Sequence, residues 1–476
     1  MSRASSVDGA PPGGGRTGSP GGPGSPRDPG PSRRADAPYD WDAPPDAPGS
    51  QDAPPPGPYR RPDPGMPWQR ARATARAAAV RPLPAAEADL ADALGRALAE
   101  PLVARTDLPP FDTSAMDGWA VAGPGPWVLR GRVLAGQQPA GPLADGTAVR
   151  IATGAPLPPG ATAVLRREHG TVERRGTPGR DGGAAAADPG EDTGVLHDRA
   201  PRPAEPGRDV RPRGQECRRG EPLLPAGTAV TPAVLGLAAA AGCDRLAVHR
   251  RPTVELLLLG DELLESGPPR DGLVRDALGP LLVPWLEACG AGVVGRRMVR
   301  DDRGLLRDAL RRSPADVVVT TGGTAAGPVD FLHAALDEAG GRLLVDSVAV
   351  RPGHPMLLAA LPPAAPGGAP RTLVGLPGNP LAAVAGAATL AVPLLRALGG
   401  HPAAAPRRAP AAADLAGHPR DTRLLPVRLT ARGADPLAFD GPAMLRGFAL
   451  ADALAAVPPG GLAAGEPVEL LEAPGR

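Results

Sequence analysis

The chain has 476 residues, a net charge of +1 and no lysine, so all 52 of its basic Lys+Arg positions are arginine. That absence excludes phosphate-binding P-loops, pyridoxal-phosphate Schiff bases and protein-kinase chemistry, each of which needs a lysine. Near-neutral charge and 11 aromatics (5 Trp, 2 Tyr, 4 Phe) offer neither an electrostatic footprint for nucleic acid or membrane nor a base-stacking platform.

Three widely spaced cysteines, Cys217, Cys243 and Cys289, form no CxxC pair and imply neither a disulfide framework nor a zinc site. With no apolar signal region at the N-terminus, the expectation is a soluble, cytoplasmic protein.

In chain order, residues 1–67 come first. Pro and Gly fill 30 of the first 70 positions, and this segment reads as a disordered tail with too little apolar surface to offset ordering entropy. Residues 68–80 and 85–98 read as helices, the second with Leu90, Leu94 and Leu98 at helical spacing. The 109–168 region carries short β-like segments (WVLRGRVL, TAVRIATG, TAVLRRE) between Pro-Gly turns. Residues 170–207 read as a long low-complexity surface loop.

From 252 to 400 the texture changes to strand, loop and helix: VELLLLG, ADVVVTTGG and TLVGLPGNP. This predicts an α/β layer with a mostly parallel sheet. The apolar run at 381–395 is Ala-rich and broken by Pro393, and reads as a buried helix rather than a membrane span. Residues 403–476 read as a small β domain.

Ligands bind parallel sheets at the C-terminal ends of strands, and three such ends stand out. Thr320–Gly323, then Thr324, Gly327 and Asp330, offer glycines for close backbone approach and N–H groups for an oxyanion; a tight strand–helix turn is the alternative. Pro377, Gly378 and Asn379 form a second loop, equally readable as a capped helix start with Pro380 at N1. Gly260-Asp261-Glu262 places two carboxylates after a buried strand, suited to Mg²⁺ or a hydroxyl. Asp301 and Asp302 add further carboxylates or mark a solvated turn. In the β-like region, SAMDG holds Asp117 and ATGA holds Thr153.

The order of these pieces resembles the MoeA family, the molybdopterin molybdenumtransferases, related to the C-terminal part of gephyrin. The segments that carry the resemblance are SAMDGWAV, VRIATGAPLPPG, GRDVRPRGQE, LLLLGDEL, RDD, TGGTAAGPVD, RPGHP, LPGNP and the terminal LRGFALADAL. The resemblance implies a multidomain α/β plus β fold: a discontinuous domain (68–108 and 208–250), a β-rich insertion (109–207), a molybdopterin-binding α/β domain (251–402) and a β-barrel-like C-terminal domain (403–476). It implies a homodimer whose cleft is completed by the partner subunit. The implied reaction takes adenylylated molybdopterin and molybdate as substrates, uses Mg²⁺ and releases AMP.

By the resemblance, Asp117, Glu262, Asp330 and Arg351 fall at catalytic positions. Glu262, Asp301, Asp302 and Asp330 fall at metal positions. Thr153, Gly322, Gly323, Thr324, Gly327, His354, Pro377, Gly378 and Asn379 fall at substrate-binding positions, and Glu168 also falls in the cleft. The sequence departs from the family pattern at Leu278 (for Asn), Ala325 (for Ser), Gln215-Glu216 (for Glu-Asp), and Ser347 and His354 in a lysine-bearing stretch. Those departures open a second expectation, an impaired paralogue that binds molybdopterin or serves as a scaffold.

Overall fold

The computed structural model describes residues 65–173, 194–324 and 331–473. Most of the expected tail therefore lies outside the described residues, but its last three residues do not. Met66–Pro67 forms a short strand paired in parallel with Val348 and Ala349. The helix that follows, Trp68–Ala78, lays Trp68, Ala71 and Ala75 into the α/β core, and its Trp68 indole N–H donates to Thr389 at 3.0 Å.

The second expected helix, 85–98, is not one. Ala85–Asp89 is a strand paired antiparallel with Arg245–His249, and only Leu90–Ala93 is helical. Gly95 adopts φ +76°, which ends the helical path, and Leu94 is 43% exposed. The leucine spacing mimics a helix face, but cross-strand pairing prevails over it. Ala88, Ala93 and Leu98 share one small core with Val230, Val234, Cys243 and Val248, so two stretches far apart in sequence pack together.

The β-rich region forms a six-stranded sheet in the order Ala163–Arg166, Gly118–Val121, Thr147–Ile151, Trp127–Val133, Val195–Asp198, Gly170–Glu173. Alternate residues feed two cores, one holding Trp119, Val121, Trp127 and Leu129, the other Ala120, Ala122, Val149 and Ile151, as a period-two pattern requires. The expected loop at 170–207 is shorter than read. Gly170–Glu173 and Val195–Asp198 are an antiparallel pair, and residues 174–193 lie outside the described residues.

The α/β sheet runs Gly292–Val299, Thr253–Leu259, Val317–Thr321, Arg371–Leu376, Leu357–Leu361, Arg342–Asp346. The first three pairings are parallel and the last two antiparallel, so the sheet is mixed where a mostly parallel one was expected. Val254, Leu256 and Leu258 face one core and Leu257 and Leu259 the other. Burial on both faces explains the continuous apolar run. Pro380–Leu398 is long and apolar enough to cross a membrane, yet 78% of its most apolar window is buried within the protein, consistent with the expected core helix.

The C-terminal strands pair as Arg407–Pro410, Pro467–Glu472, Ala453–Val457, Thr422–Thr430 and Gly433–Pro436. A bridge from Ala411 to Ala434 brings the first strand back to the last, giving the barrel-like closure. Val348–Arg351 of the α/β region joins this sheet by pairing with Thr422 and Arg423.

One part-buried anchor fixes the start of the central strand. Asp316 accepts from Arg250 at 2.8 and 2.9 Å and from the Thr253 N–H and hydroxyl at 2.7 Å each. Burial pushes its carboxyl up, but the Arg250 and Thr253 bonds outweigh burial and hold it below its ordinary 3.8. A carboxylate with a depressed folded-state pKa stabilises the fold above its unfolded value and loses that contribution as pH falls through the folded value. Asp316→Asn is expected to cost about 1–3 kcal/mol at neutral pH. Urea unfolding at a series of pH values should show the gap to wild type closing as pH drops below the ordinary carboxylate range.

Candidate active site

Three strand ends converge on the α/β sheet. Gly322 follows the Val317–Thr321 strand, and its N–H donates to the Leu376 carbonyl at 2.8 Å. A Cβ on Gly378 would lie 3.6 Å from the Gly322 Cα, and one on Gly322 would lie 3.1 Å from the Leu259 carbonyl oxygen. Gly322 and Gly323 have φ of +88° and +65°, where a side chain is strained. The glycines thus let three loops share one small space, as backbone recognition of a ligand requires.

Thr324 is buried beside them, while Gly327 and Asp330 lie outside the described residues, as does the substituted Ala325. Pro377 is buried, whereas Gly378 and Asn379 are exposed. Asn379 occupies the N-cap of the Pro380–Gly386 helix, with Pro380 at N1, but its side chain makes no capping bond. The amide is therefore not consumed by the helix it begins.

The Gly260 loop, at the end of the Thr253–Leu259 strand, brings carboxylates to the same sheet edge. Glu262 folds back over Gly260, where a Cβ would meet its Oε2 at 2.5 Å. The Asp261 N–H donates to Asp301 Oδ2 at 3.4 Å, and Arg300 lies 3.4 Å from the Asp261 carboxylate.

The two neighbouring aspartates now separate. Asp301 faces the Gly260 loop. Asp302 caps the Arg303–Arg312 helix by accepting from the Leu305 N–H at 2.7 Å. Among the described residues no three His, Cys, Asp or Glu side chains gather as a metal cage. Glu262 and Asp301 are carboxylates that this sheet edge offers to a ligand.

The second cluster lies on the inserted sheet. Asp117 Oδ1 accepts from the Thr153 N–H at 2.7 Å and its hydroxyl at 3.0 Å, so the structure brings together two residues 36 apart. Those two Thr153 bonds, with the Arg167 and Arg150 charges, hold the Asp117 carboxyl below the usual carboxylate range. A cavity of about 860 Å³ opens beside it, lined also by Trp119, Arg132, Arg150 and Arg167. Glu168 is exposed 4.0 Å from Arg166. Arg166 in turn clamps Asp209 through two 2.8 Å bonds; Asp209 and Arg150 lie in segments that carry the family resemblance, but nothing in the sequence singles them, Arg132, Arg166 or Arg167 out as site residues.

Other predicted residues have structural partners. Arg351 Nε donates to the buried Asp421 at 2.8 Å, tying the α/β region to the C-terminal sheet. His354 lies against Gly65, 3.0 Å from the position of a Cβ there, and its Nδ1 is buried with no hydrogen-bond partner among the described residues. Ser347 has φ +66° at a tight turn between strands. Leu278 is 5% exposed in the main core, while Asp276 accepts from the Leu278 and Gly279 N–H groups and pairs with Arg296 at 2.8 Å. Leucine at 278 therefore fills the core at a helix start. Gln215 and Glu216 are exposed.

Asp302→Ala is expected to lower unfolding stability by about 1 kcal/mol, the usual cost of an N-cap, and Asp301→Ala to leave it unchanged. Denaturant melts of the two variants check the assignment.

The chain is similar to known proteins over most of its described residues. Residues 66–242 match the MoeA N-terminal region (domain I and II), 255–397 a probable molybdopterin binding domain, and 408–472 the MoeA C-terminal region (domain IV). A molybdopterin molybdenumtransferase of Nostoc sp. is 31% identical over 66% of this chain and 69% of its own length. Molybdopterin molybdenumtransferase 2 of Mycobacterium tuberculosis is 34% identical over 66% and 75%. The crystal structure of a molybdopterin biosynthesis MoeA protein from Pyrococcus horikosii superposes with TM-score 0.65 at 27% identity, covering 87% of this chain and all of that one. The chain belongs to the MoeA family.

Proposed function

We propose that this member of the molybdopterin molybdenumtransferase class acts in molybdenum cofactor biosynthesis by inserting molybdenum from molybdate into adenylylated molybdopterin, with release of AMP. The observation that carries the reading is the convergence of Gly322, Gly378 and the Asp301–Gly260 loop at one sheet edge. Backbone N–H groups and the Asn379 amide would bind phosphate and pterin oxygens there. Glu262 and Asp301 would hold Mg²⁺, which supplies charge neutralisation at the departing phosphate. Asp117, kept ionised by Thr153, would orient a donor group of the substrate from the inserted sheet.

The cavity beside Asp117 is lined by residues of the inserted sheet and its loops, not by the α/β loops. A homodimer in which the partner's inserted sheet faces these loops would join the two clusters, and cytoplasmic residence belongs to the same proposal. A second reading, a molybdopterin-binding scaffold, is favoured by Ser347, which brings no charge, and by Arg351, whose Nε is engaged by Asp421.

The test combines purified protein with adenylylated molybdopterin, molybdate and Mg²⁺ and measures AMP and protein-bound molybdenum. Turnover is expected, falling about 10²-fold or more in Glu262→Gln and Asp301→Asn, the scale for losing one charge-stabilising group. Tight pterin binding with AMP at background would replace the enzyme reading with the scaffold.

A further inference from the structure

The helix that begins at the Pro377-Gly378-Asn379 loop is capped from another part of the chain. Asn379 stands at its N-cap, and Pro380, which has no N–H, at its first helical position. An N-cap side chain serves by accepting from the second or third helical N–H, and asparagine is among the best residues for that task. Here the Asn379 side chain makes no such bond. The Pro442 carbonyl does the work instead, accepting from the Leu381 N–H at 2.8 Å and the Ala382 N–H at 3.2 Å. The next donor, the Ala383 N–H, reaches the Asn379 carbonyl at 2.8 Å. No N–H of the first turn is left for the Asn379 side chain, and the residue is exposed beside Gly378.

Pro442 belongs to the C-terminal region, on the loop between the Gly433–Pro436 strand and the Arg446–Leu450 helix. That loop is pinned at several points. Asp440 accepts from Arg423 Nη2 at 2.6 Å. A Cβ on Gly447 would fall 2.6 Å from the Ala438 carbonyl oxygen and 2.7 Å from that of Phe439. Phe439 holds φ +66°, an outlier for a bulky residue, with the Arg446 guanidinium 4.5 Å over its ring. Phe448 is buried 6.0 Å from the Trp285 ring. Backbone strain of this kind persists only where the surroundings over-determine it, and these contacts hold the loop on the helix start.

We propose that the 437–445 loop is a positioning element for Asn379: by capping the helix in its place, it keeps the Asn379 amide free to hydrogen-bond a ligand at the converging loops. With the Pro442 carbonyl withdrawn, two helix N–H groups lose their acceptor. Asn379 then turns its side-chain oxygen onto them as an ordinary N-cap, and the amide is consumed. The C-terminal sheet thus sets the hydrogen-bonding capacity of the candidate site without touching the ligand. The ligand part rests on the transferase reading, in which Asn379 contacts the pterin nucleotide; the exchange of caps does not.

The test is a double-variant cycle on the full chain, read by urea unfolding and by titration with adenylylated molybdopterin. Gly447→Ala displaces the loop. A milder variant replaces Ala443 by its α-hydroxy analogue, so that Pro442 presents an ester carbonyl, a weaker acceptor. In the wild-type background Asn379→Ala should leave the unfolding equilibrium unchanged, because the side chain caps nothing. In either loop variant it should shift that equilibrium about fivefold, the scale of one lost N-cap. Asn379→Ser, which can cap but supplies no amide, should avoid that shift. Affinity for adenylylated molybdopterin should fall about tenfold in Asn379→Ala and in the ester variant, the scale of one hydrogen bond, and no further when the two are combined.

An Asn379→Ala effect on unfolding that is equal with and without the loop variants means that no cap is exchanged, and overturns the proposal. Additive losses of affinity overturn it too, because loop and amide then act separately. Cap exchange in unfolding, with affinity unchanged in Asn379→Ala, removes this residue from the transferase reading and leaves the loop as the cap that frees it. Weakened binding in Asn379→Ala without cap exchange does the reverse.

Discussion

The structure depends on burying both faces of three adjacent parallel strands. Thr253–Leu259, Val317–Thr321 and Arg371–Leu376 send alternate side chains into two separate cores, so neither face can carry chemistry. Recognition is displaced to the strand ends, where backbone and short side chains are left to contact a ligand. The glycines follow from that constraint. Three loops leaving strands about 4.8 Å apart can meet one ligand only if they nearly touch, and the closeness of Gly322 to Gly378 and of Leu259 to Gly322 leaves little room for side chains.

A chain without lysine meets its other needs with arginine, and the guanidinium fork shapes where it can be used. Arg250 grips Asp316 and Arg166 grips Asp209 with two bonds each. Arg296 holds Asp276, and Arg351 holds Asp421 across the seam to the C-terminal sheet. Each joins elements distant in sequence, and each aspartate is largely buried. Breaking such a pair strands a buried charge, which costs more than the intact pair contributes.

Legibility in the sequence followed the range of the interactions involved. The three apolar strands and their Gly loops were readable because burial on two faces and a tight turn are local demands. The 85–98 segment misled because Leu90, Leu94 and Leu98 satisfy helical spacing while Arg245–His249, far away in sequence, determines the pairing of Ala85–Asp89. Asp301 and Asp302 were indistinguishable as adjacent carboxylates; only the start of the Arg303–Arg312 helix assigns one to a cap. Leu278 looked like a lost polar group and is a core residue. The Arg132–Arg150 row had no local signature at all, because it depends on a register shift across a sheet.

That last point changes how the substitutions are weighed. Counted along the sequence, Ser347 and His354 are subtractions from a cationic site. Mapped onto the fold, they sit where Met66–Pro67 pairs with Val348 and Ala349 and Gly65 packs on His354. A long charged side chain at 354 would have to displace that contact. At this turn the chain is held by strand pairing and close packing, while Arg132, Arg150 and Arg167 line the cavity beside Asp117 on the inserted sheet. Electrostatic stabilisation depends on where charge lies relative to the anion, not on which segment supplies it.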